Sequence, residues 1–159
     1  MTMRIAISGH RGLPAAVEQQ VDRLIRDALA ELGDQQVTGL SCIADGADTL
    51  FARAVVDMGG DLEVVVPAQM YRDGLPAEHW PAYDSLFSAA TLVHEMDFID
   101  STSEAHQAAS ERMLELAEEL WAVWDGLPAR GFGGTADVVA AARSRGLPVR
   151  IFWPDGATR

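Results

Sequence analysis

Residues 122–146 contain the residue types that could hold an anionic group. A short apolar run leads into Trp124-Asp125-Gly126, and Gly131-Phe132-Gly133-Gly134-Thr135 then precedes a helical pattern. Glycine lets a ligand approach the backbone closely, and the first N–H groups of a helix have no intrahelical acceptor and favour negative charge. We therefore predict that Gly133, Gly134 and Thr135 bind a phosphate group. Thr135 would either cap the helix or donate its hydroxyl to the phosphate, whereas Asp125-Gly126 could also be a plain turn.

Two further polar clusters follow the first and second predicted strands. In Ser8-Gly9-His10-Arg11, the arginine supplies a forked cationic donor that suits phosphate or ribose, although an exposed turn would also explain the sequence. In Asp45-Gly46-Ala47-Asp48, Asp45 could cap the second helix and Asp48 could support its positive end. The same segment could instead contact a ligand, with Asp48 accepting a ribose hydroxyl. Both interpretations remain open.

The loop after the third strand contains Tyr71, which could stack on a base or simply cover the edge of the core. The four histidines are His10, His79, His94 and His106, and they show no metal-ligand spacing. We therefore predict no metal site, and no cofactor is indicated. The single cysteine, Cys42, excludes an internal disulfide and is expected in the core.

Composition limits the class of protein. The chain has 159 residues, which suggests a single domain over residues 1–159. Its formal net charge of −12 argues against non-specific binding to nucleic acid or to an anionic membrane. No apolar run approaches the roughly 20 residues that span a bilayer, and the N-terminus does not resemble a signal peptide. A cytoplasmic protein is the simplest expectation.

Apolar periodicity predicts strands and helices that alternate along the whole chain. The predicted strands are residues 4–8, 37–42, 62–66, 91–94, 120–124 and 149–153. The predicted helices are residues 15–32, 47–58, 78–90 with an interruption near Pro81, 104–118 and 135–145, and residues 154–159 are expected to form a loose tail. The pattern predicts an α/β fold, a single Rossmann-like three-layer sandwich with a mostly parallel sheet of about six strands and helices on both faces. Ligands in such folds bind beyond the C-terminal ends of the strands.

The order of the clusters resembles the SLOG superfamily, which includes the Lonely Guy phosphoribohydrolases and the YpsA-like proteins. The resemblance rests on Ser8-Gly9-His10-Arg11, on Ala44-Asp45-Gly46-Ala47-Asp48, and on Trp124-Asp125-Gly126 followed by Gly133-Gly134-Thr135-Ala136-Asp137. It implies a homodimer that binds a nucleotide or a nucleotide-derived ligand such as NAD or ADP-ribose. By position, the glycine-rich turn would hold phosphate, Gly9 to Arg11 would line the pocket, and Gly46, Ala47 and Asp48 would form the opposite wall.

The chain departs from the phosphoribohydrolase pattern Pro-Gly-Gly-x-Gly-Thr-x-x-Glu. Val138 stands where that glutamate is expected, and Asp137 comes one residue early, which rotates its side chain by about 100° on a helix. The departure favours the YpsA-like, ligand-binding branch, so the first hypothesis is a binding or sensor domain. The second is an N-glycosidase that releases free base from a nucleoside monophosphate, with Asp137, Asp48 and Asp125 as candidate catalytic residues. The third is a protein-interaction module that has kept the fold without the ligand.

Overall fold

A computed structural model describes residues 2–129 and 134–159. The strands are β1 (Thr2–Gly9), β2 (Gln36–Ser41), β3 (Asp61–Val66), β4 (Leu92–Glu95), β5 (Glu119–Val123) and β6 (Val149–Phe152). The helices are α1 (Ala15–Ala30), α2 (Ala47–Asp57), α3 (Trp80–Ala89), α4 (Ser103–Leu116) and α5 (Thr135–Ser144), with two short 3₁₀ turns at Arg72–Gly74 and Ala77–His79. None of the helices in these two ranges is long and apolar enough to cross a membrane.

The six strands form one sheet in the order β4-β3-β2-β1-β5-β6, and every neighbouring pair is parallel. The order reverses at β1, which lies between β2 and β5. At the C-terminal end of this central pair, Gly9 lies opposite Val123. The predicted Rossmann-like sandwich is therefore confirmed, and the loops after β1 and β5 emerge side by side at the point where such folds bind ligands.

The helices cover both faces of the sheet. Successive residues of a strand point to opposite faces, so Ile5 and Ile7 of β1 pack with α1 and α2, whereas Ala6 packs in the cluster that contains α4 and α5. Phe51 of α2 contacts Trp121 of β5, with their ring centroids 5.8 Å apart. The near-continuous apolar sequence of the central strands follows from this burial on two sides.

Local signals explain most of the element boundaries. α1 begins directly after Pro14, and Gly33, with φ of +62°, lies just beyond its end. The Oγ1 of Thr102 accepts from the N–H of Ala105 (3.1 Å) and caps α4. The predicted helix over residues 78–90 is divided close to Pro81, because a 3₁₀ turn covers Ala77–His79 and α3 begins only at Trp80. The proline lies in the first turn of α3, where its missing N–H would have no intrahelical acceptor.

Candidate functional site

A cavity of about 340 Å³ opens beyond the C-terminal ends of β1 and β5. Its lining comes from the end of β1, from the loops after β1, β2, β3 and β5, from one face of α4, from the first turns of α2 and α5, and from Arg159. The volume falls near the lower end of the range of about 300–1,000 Å³ that is typical of ligand pockets. The cavity therefore occupies the position at which a fold with this strand order binds small molecules.

The structure brings together many of the residues that the sequence singled out. The cavity is lined by Ser8, Gly9, His10, Arg11, Asp48, Tyr71, Gly134 and Thr135. Five other candidates lie beside it without lining it, namely Asp45, Gly46, Ala47, Asp125 and Asp137. Gly133 lies outside the described residues. Within residues 2–129 and 134–159, no group of three or more His, Cys, Asp or Glu side chains could hold a metal ion.

The loops after β1 and β2 form one continuous wall. The N–H of Ala47 donates to the carbonyl oxygen of His10 (3.2 Å), which links the start of α2 to the first loop. A Cβ at Gly9 would collide with the Cβ of Ala47 and lie 2.8 Å from the Cβ of Val123, so only glycine lets the end of β1 approach α2 so closely. Ala47 therefore shapes the wall from behind the cavity surface.

Arg11 projects from this wall and pairs with Asp45. Its Nη2 lies 2.8 Å from Oδ1 of Asp45, and its side chain is 46% exposed. The alternative in which Asp45 caps α2 is wrong, because Gly46 occupies the N-cap position and no side chain caps that helix. The carboxylate of Asp45 instead orients the guanidinium group of a cavity residue.

Asp48 is the only carboxylate that lines the cavity among the described residues. It lies in the first turn of α2, half-buried, with its Oδ2 3.4 Å from the backbone N of Ala44. Burial raises the pKa of Asp48 to about 7, while the N–H of Ala44 and the charge of Arg11 oppose that rise. At neutral pH its carboxyl group is therefore divided between a protonated form, which can donate a hydrogen bond, and an ionised form, which only accepts.

The α4 side of the cavity contains residues that the sequence reasoning missed. His106 and Ser110 lie one helical turn apart, and both line the cavity. The Nε2 of His106 lies 2.8 Å from the Oγ of Ser101. Burial, together with the positive charge of Arg11, lowers the pKa of His106 and favours the neutral imidazole. The available signal was a polar i, i+4 pair on a helix whose small residues face the core.

Tyr71 forms part of the same wall. Its side chain is buried, and its ring contacts that of His106 edge-on, with the centroids 5.6 Å apart. It also packs against Tyr83 of α3. Tyr71 therefore covers the edge of the core, as one of the two interpretations expected, and also presents part of its side chain to the cavity.

Asp125 serves the turn after β5. Its Oδ1 accepts from the N–H of Leu127 (2.9 Å) around Gly126, whose φ is +82°. Burial opposes ionisation of Asp125, but the N–H of Leu127 and the charges of His10 and Arg159 together lower its pKa. The carboxylate therefore stays ionised, and it is held by groups of the protein beside the cavity.

The expected loose tail is wrong at its last residue. The side chain of Arg159 is only 14% exposed, its Nε lies 2.7 Å from Oδ2 of Asp125, and the side chain lines the cavity. Closer to β6, the Nε1 of Trp153 donates to the carbonyl oxygen of Ala157 (3.1 Å). The tail thus follows a defined path from the last strand to the site.

The N-terminus of α5 borders the same cavity as Asp48. Gly134 occupies the N-cap position, and Thr135 is buried as the first helical residue. The alternative in which Thr135 caps the helix is wrong, because no side chain does so. Asp137 lies in the first turn without lining the cavity, as expected for a residue placed favourably at the positive end of the helix.

Comparisons with known proteins agree with this architecture. No family model matches the chain, and no curated protein matches it in sequence. DNA processing protein A of Streptococcus pneumoniae superposes with a TM-score of 0.67 at 17% identity, over 94% of this chain and 50% of that chain. The Helicobacter pylori protein of the same name superposes with a TM-score of 0.68 at 16% identity, over 98% of this chain and 68% of that chain. The Moco carrier protein of Chlamydomonas reinhardtii superposes with a TM-score of 0.58 at 16% identity, over 96% of this chain and 76% of that chain.

At these identities the likeness shows the fold. The chain spans only half the length of the Streptococcus protein, so the activity of that whole protein does not transfer. All three superpose on this chain over more than nine-tenths of its length. The chain therefore has a Rossmann-like fold, as its pattern of strands and helices predicted, and the likeness is in line with the resemblance of its motifs to the SLOG superfamily.

Proposed function

We propose that this chain binds a nucleotide-derived ligand in the cavity beyond β1 and β5. One observation carries the proposal: a single cavity at the reversal of strand order combines a helix N-terminus, the guanidinium of Arg11 and the carboxyl of Asp48. The helix N-terminus and the guanidinium suit a phosphate group, and the carboxyl suits a sugar hydroxyl.

The phosphate group would bind at the α5 side. Gly134, Thr135 and Ala136 line the cavity there, and the first N–H groups of a helix favour an anion. The Thr135 hydroxyl is not used in capping, so it is available for a phosphate oxygen. Arg11 adds a forked donor for a phosphate or ribose oxygen.

The sugar and base would extend toward α2 and α4. Asp48 can hydrogen-bond a ribose hydroxyl in either protonation state. Tyr71 and His106 provide an aromatic wall beside it. Because the cavity volume of about 340 Å³ is near the lower limit for ligand pockets, it favours a nucleoside monophosphate over a dinucleotide such as NAD.

The fold neighbours are consistent with a ligand of this class. The Helicobacter protein is described as binding single-stranded DNA, which is a polymer of nucleotides. The formal net charge of −12 on the present chain disfavours a long polyanion, because few cations could replace its counterions. A single nucleotide needs only the local groups of the cavity.

Ligand-observed proton NMR with AMP, GMP, CMP, NAD and ADP-ribose tests the proposal directly. We expect line broadening for a monophosphate. Arg11→Ala should raise its dissociation constant by about 10-fold, because a charge-assisted hydrogen bond is lost. Arg112→Ala is the matched control, since Arg112 is an exposed arginine that pairs with Glu115 on α4. The proposal fails if no ligand broadens, or if the two variants bind equally well.

Asp48 supports a second candidate function, hydrolysis of the monophosphate, in which water replaces the base on the ribose and leaves free base and ribose phosphate. Of the three carboxylates that the sequence suggested for this chemistry, only Asp48 lines the cavity, and its pKa of about 7 suits proton transfer at neutral pH. Its ionised form would stabilise positive charge that develops on the ribose. Free base would appear in the same NMR sample. Asp48→Asn should abolish its release, whereas Asp137→Asn should not, and the reverse result would exclude Asp48 as the catalytic group.

A further inference from the structure

Arg159 reaches the cavity from a part of the chain that none of the phosphate-binding or sugar-binding motifs includes. We propose that Arg159 is an anion-binding residue of the site, which donates hydrogen bonds to the phosphate group of the ligand. This inference rests on the proposed binding of a nucleoside monophosphate, and it assigns the phosphate end of the cavity a second cation.

Three contacts fix the plane of the Arg159 guanidinium group. Its Nε lies 2.7 Å from Oδ2 of Asp125, and its Nη2 donates to the carbonyl oxygen of Pro128 (3.1 Å). Its Nη1 lies 3.4 Å from Nδ1 of His10. A long side chain that is already held in this way loses little conformational entropy when a ligand binds.

The guanidinium group retains donors for a ligand. It carries five N–H groups, and the contacts with Asp125, Pro128 and His10 engage at most three of them. The side chain lines the same cavity as Gly134 and Thr135 at the start of α5. A planar fork next to the unpaired amides of a helix suits the several oxygens of one phosphate group.

The two arginines of the cavity serve different parts of it. The charge of Arg11 acts on Asp48, Tyr71 and His106, which form the α2 and α4 side. The charge of Arg159 acts on Asp125, in the turn that leads toward α5. Removal of Arg159 should therefore affect the phosphate group more than the base or the sugar.

Asp125 acquires a positioning role in this arrangement. Its low pKa keeps it ionised, and its bond to the N–H of Leu127 ties it to the turn after β5. The carboxylate therefore orients Arg159 from behind while remaining outside the cavity lining. The opposite possibility is that Arg159 itself fills the anion site and competes with the ligand, and its removal would then tighten binding.

Isothermal titration of AMP, GMP and CMP, and of the three corresponding nucleosides, separates these possibilities. Arg159→Ala should weaken binding of the monophosphate that binds the wild-type chain by about 10- to 100-fold, and should change binding of its nucleoside by less than about 2-fold. Arg159→Lys should recover part of the loss, because an ammonium keeps the charge but loses the fork. Arg145→Ala is the control, since Arg145 is exposed at the other end of α5.

The outcomes are distinct. Equal affinity of Arg159→Ala and Arg145→Ala for the monophosphate, tighter binding by Arg159→Ala, or equal weakening of monophosphate and nucleoside would each overturn the role of Arg159 while leaving the proposed function intact. A wild-type chain that binds none of the monophosphates would overturn the proposed function, and this inference with it. Thermal unfolding of each variant verifies that the fold is retained.

Discussion

The backbone N–H of Ala47 donates to the carbonyl oxygen of His10 at 3.2 Å, so the loops after β1 and β2 are held together at the edge of the cavity. Gly46 makes this contact possible. Its φ is +88°, and a Cβ at this position would lie 2.6 Å from the same carbonyl oxygen. The wall that presents Arg11 and Asp48 therefore depends on the absence of a side chain at Gly46.

Replacement of this glycine should be more costly than replacement of a glycine with similar backbone geometry elsewhere. We expect Gly46→Ala to reduce the free energy of unfolding by about 2–4 kcal/mol, from left-handed strain plus displacement of His10. Gly59→Ala is the matched control, because Gly59 has φ of +83° and no atom within 4 Å of the added Cβ, so it should cost only about 1–2 kcal/mol. Urea unfolding measures both, and equal losses would show that crowding against His10 contributes nothing.

Away from the cavity, Glu63 of β3 joins β1, β3 and β4. Arg4 pairs with it through both terminal nitrogens, at 2.9 and 3.1 Å, and the Nε2 of His94 lies 2.8 Å from its Oε1. Burial opposes ionisation, but the hydrogen bonds from Arg4 and His94 and their charges outweigh it and lower the pKa of Glu63. The stabilisation is therefore present above the pKa of an unfolded glutamate and is lost as the pH falls through the lower folded pKa.

Loss of the Glu63 charge should leave a partly buried arginine without its partner. We expect Glu63→Gln to reduce the free energy of unfolding by about 2–3 kcal/mol at pH 7. Glu115→Gln, which breaks the exposed pair with Arg112, should change it by less than about 0.5 kcal/mol. Chemical denaturation at pH 7 compares the two variants, and an equally small effect at Glu63 would mean that its pair with Arg4 contributes no more to stability than an exposed pair.

The strands and helices could be predicted because each depends on nearby residues. The β-branched run before Pro67 specified β3, and Pro14 and Gly33 bracketed α1. Helical periodicity also placed Thr135 at the start of α5. Such local signals also fixed which loops share the C-terminal edge of the sheet, and so most of the candidate site.

Contacts between distant segments could not be predicted in the same way. Arg159 reaches Asp125 across 34 positions of sequence, and nothing near either residue specifies that pairing. Asp45 is of a residue type that often caps helices, but its carboxylate instead pairs with Arg11 in another loop. His106 enters the cavity only because α4 crosses the face of the sheet beneath the loops after β1 and β3.

The raised pKa of Asp48 should appear as a dependence of stability on pH. Its carboxyl group has a pKa of about 7 in the folded chain and the ordinary value of 3.8 when unfolded, so between these values the folded state holds a proton that unfolding releases. This group therefore makes stability decrease as the pH rises from about 4 to about 7, by as much as about 4 kcal/mol. Asp48→Asn removes that dependence, and should exceed the wild-type chain in stability above pH 7 while matching it near pH 4.

The measurement is urea unfolding of wild type and Asp48→Asn at a series of pH values between 4 and 8. The difference in free energy of unfolding between the two chains at each pH cancels the contributions of other titrating groups, because the effects of distant sites on stability are additive. Asp34→Asn, at an exposed position after α1, should give a nearly constant difference from wild type. A constant difference for Asp48→Asn as well would mean that its carboxyl group titrates normally, which would also remove the argument for proton transfer by Asp48 at neutral pH. A difference that grows with pH would mean that burial makes ionisation of Asp48 costly when no ligand is added. A ligand group that donates a hydrogen bond to its carboxylate should then relieve this cost on binding.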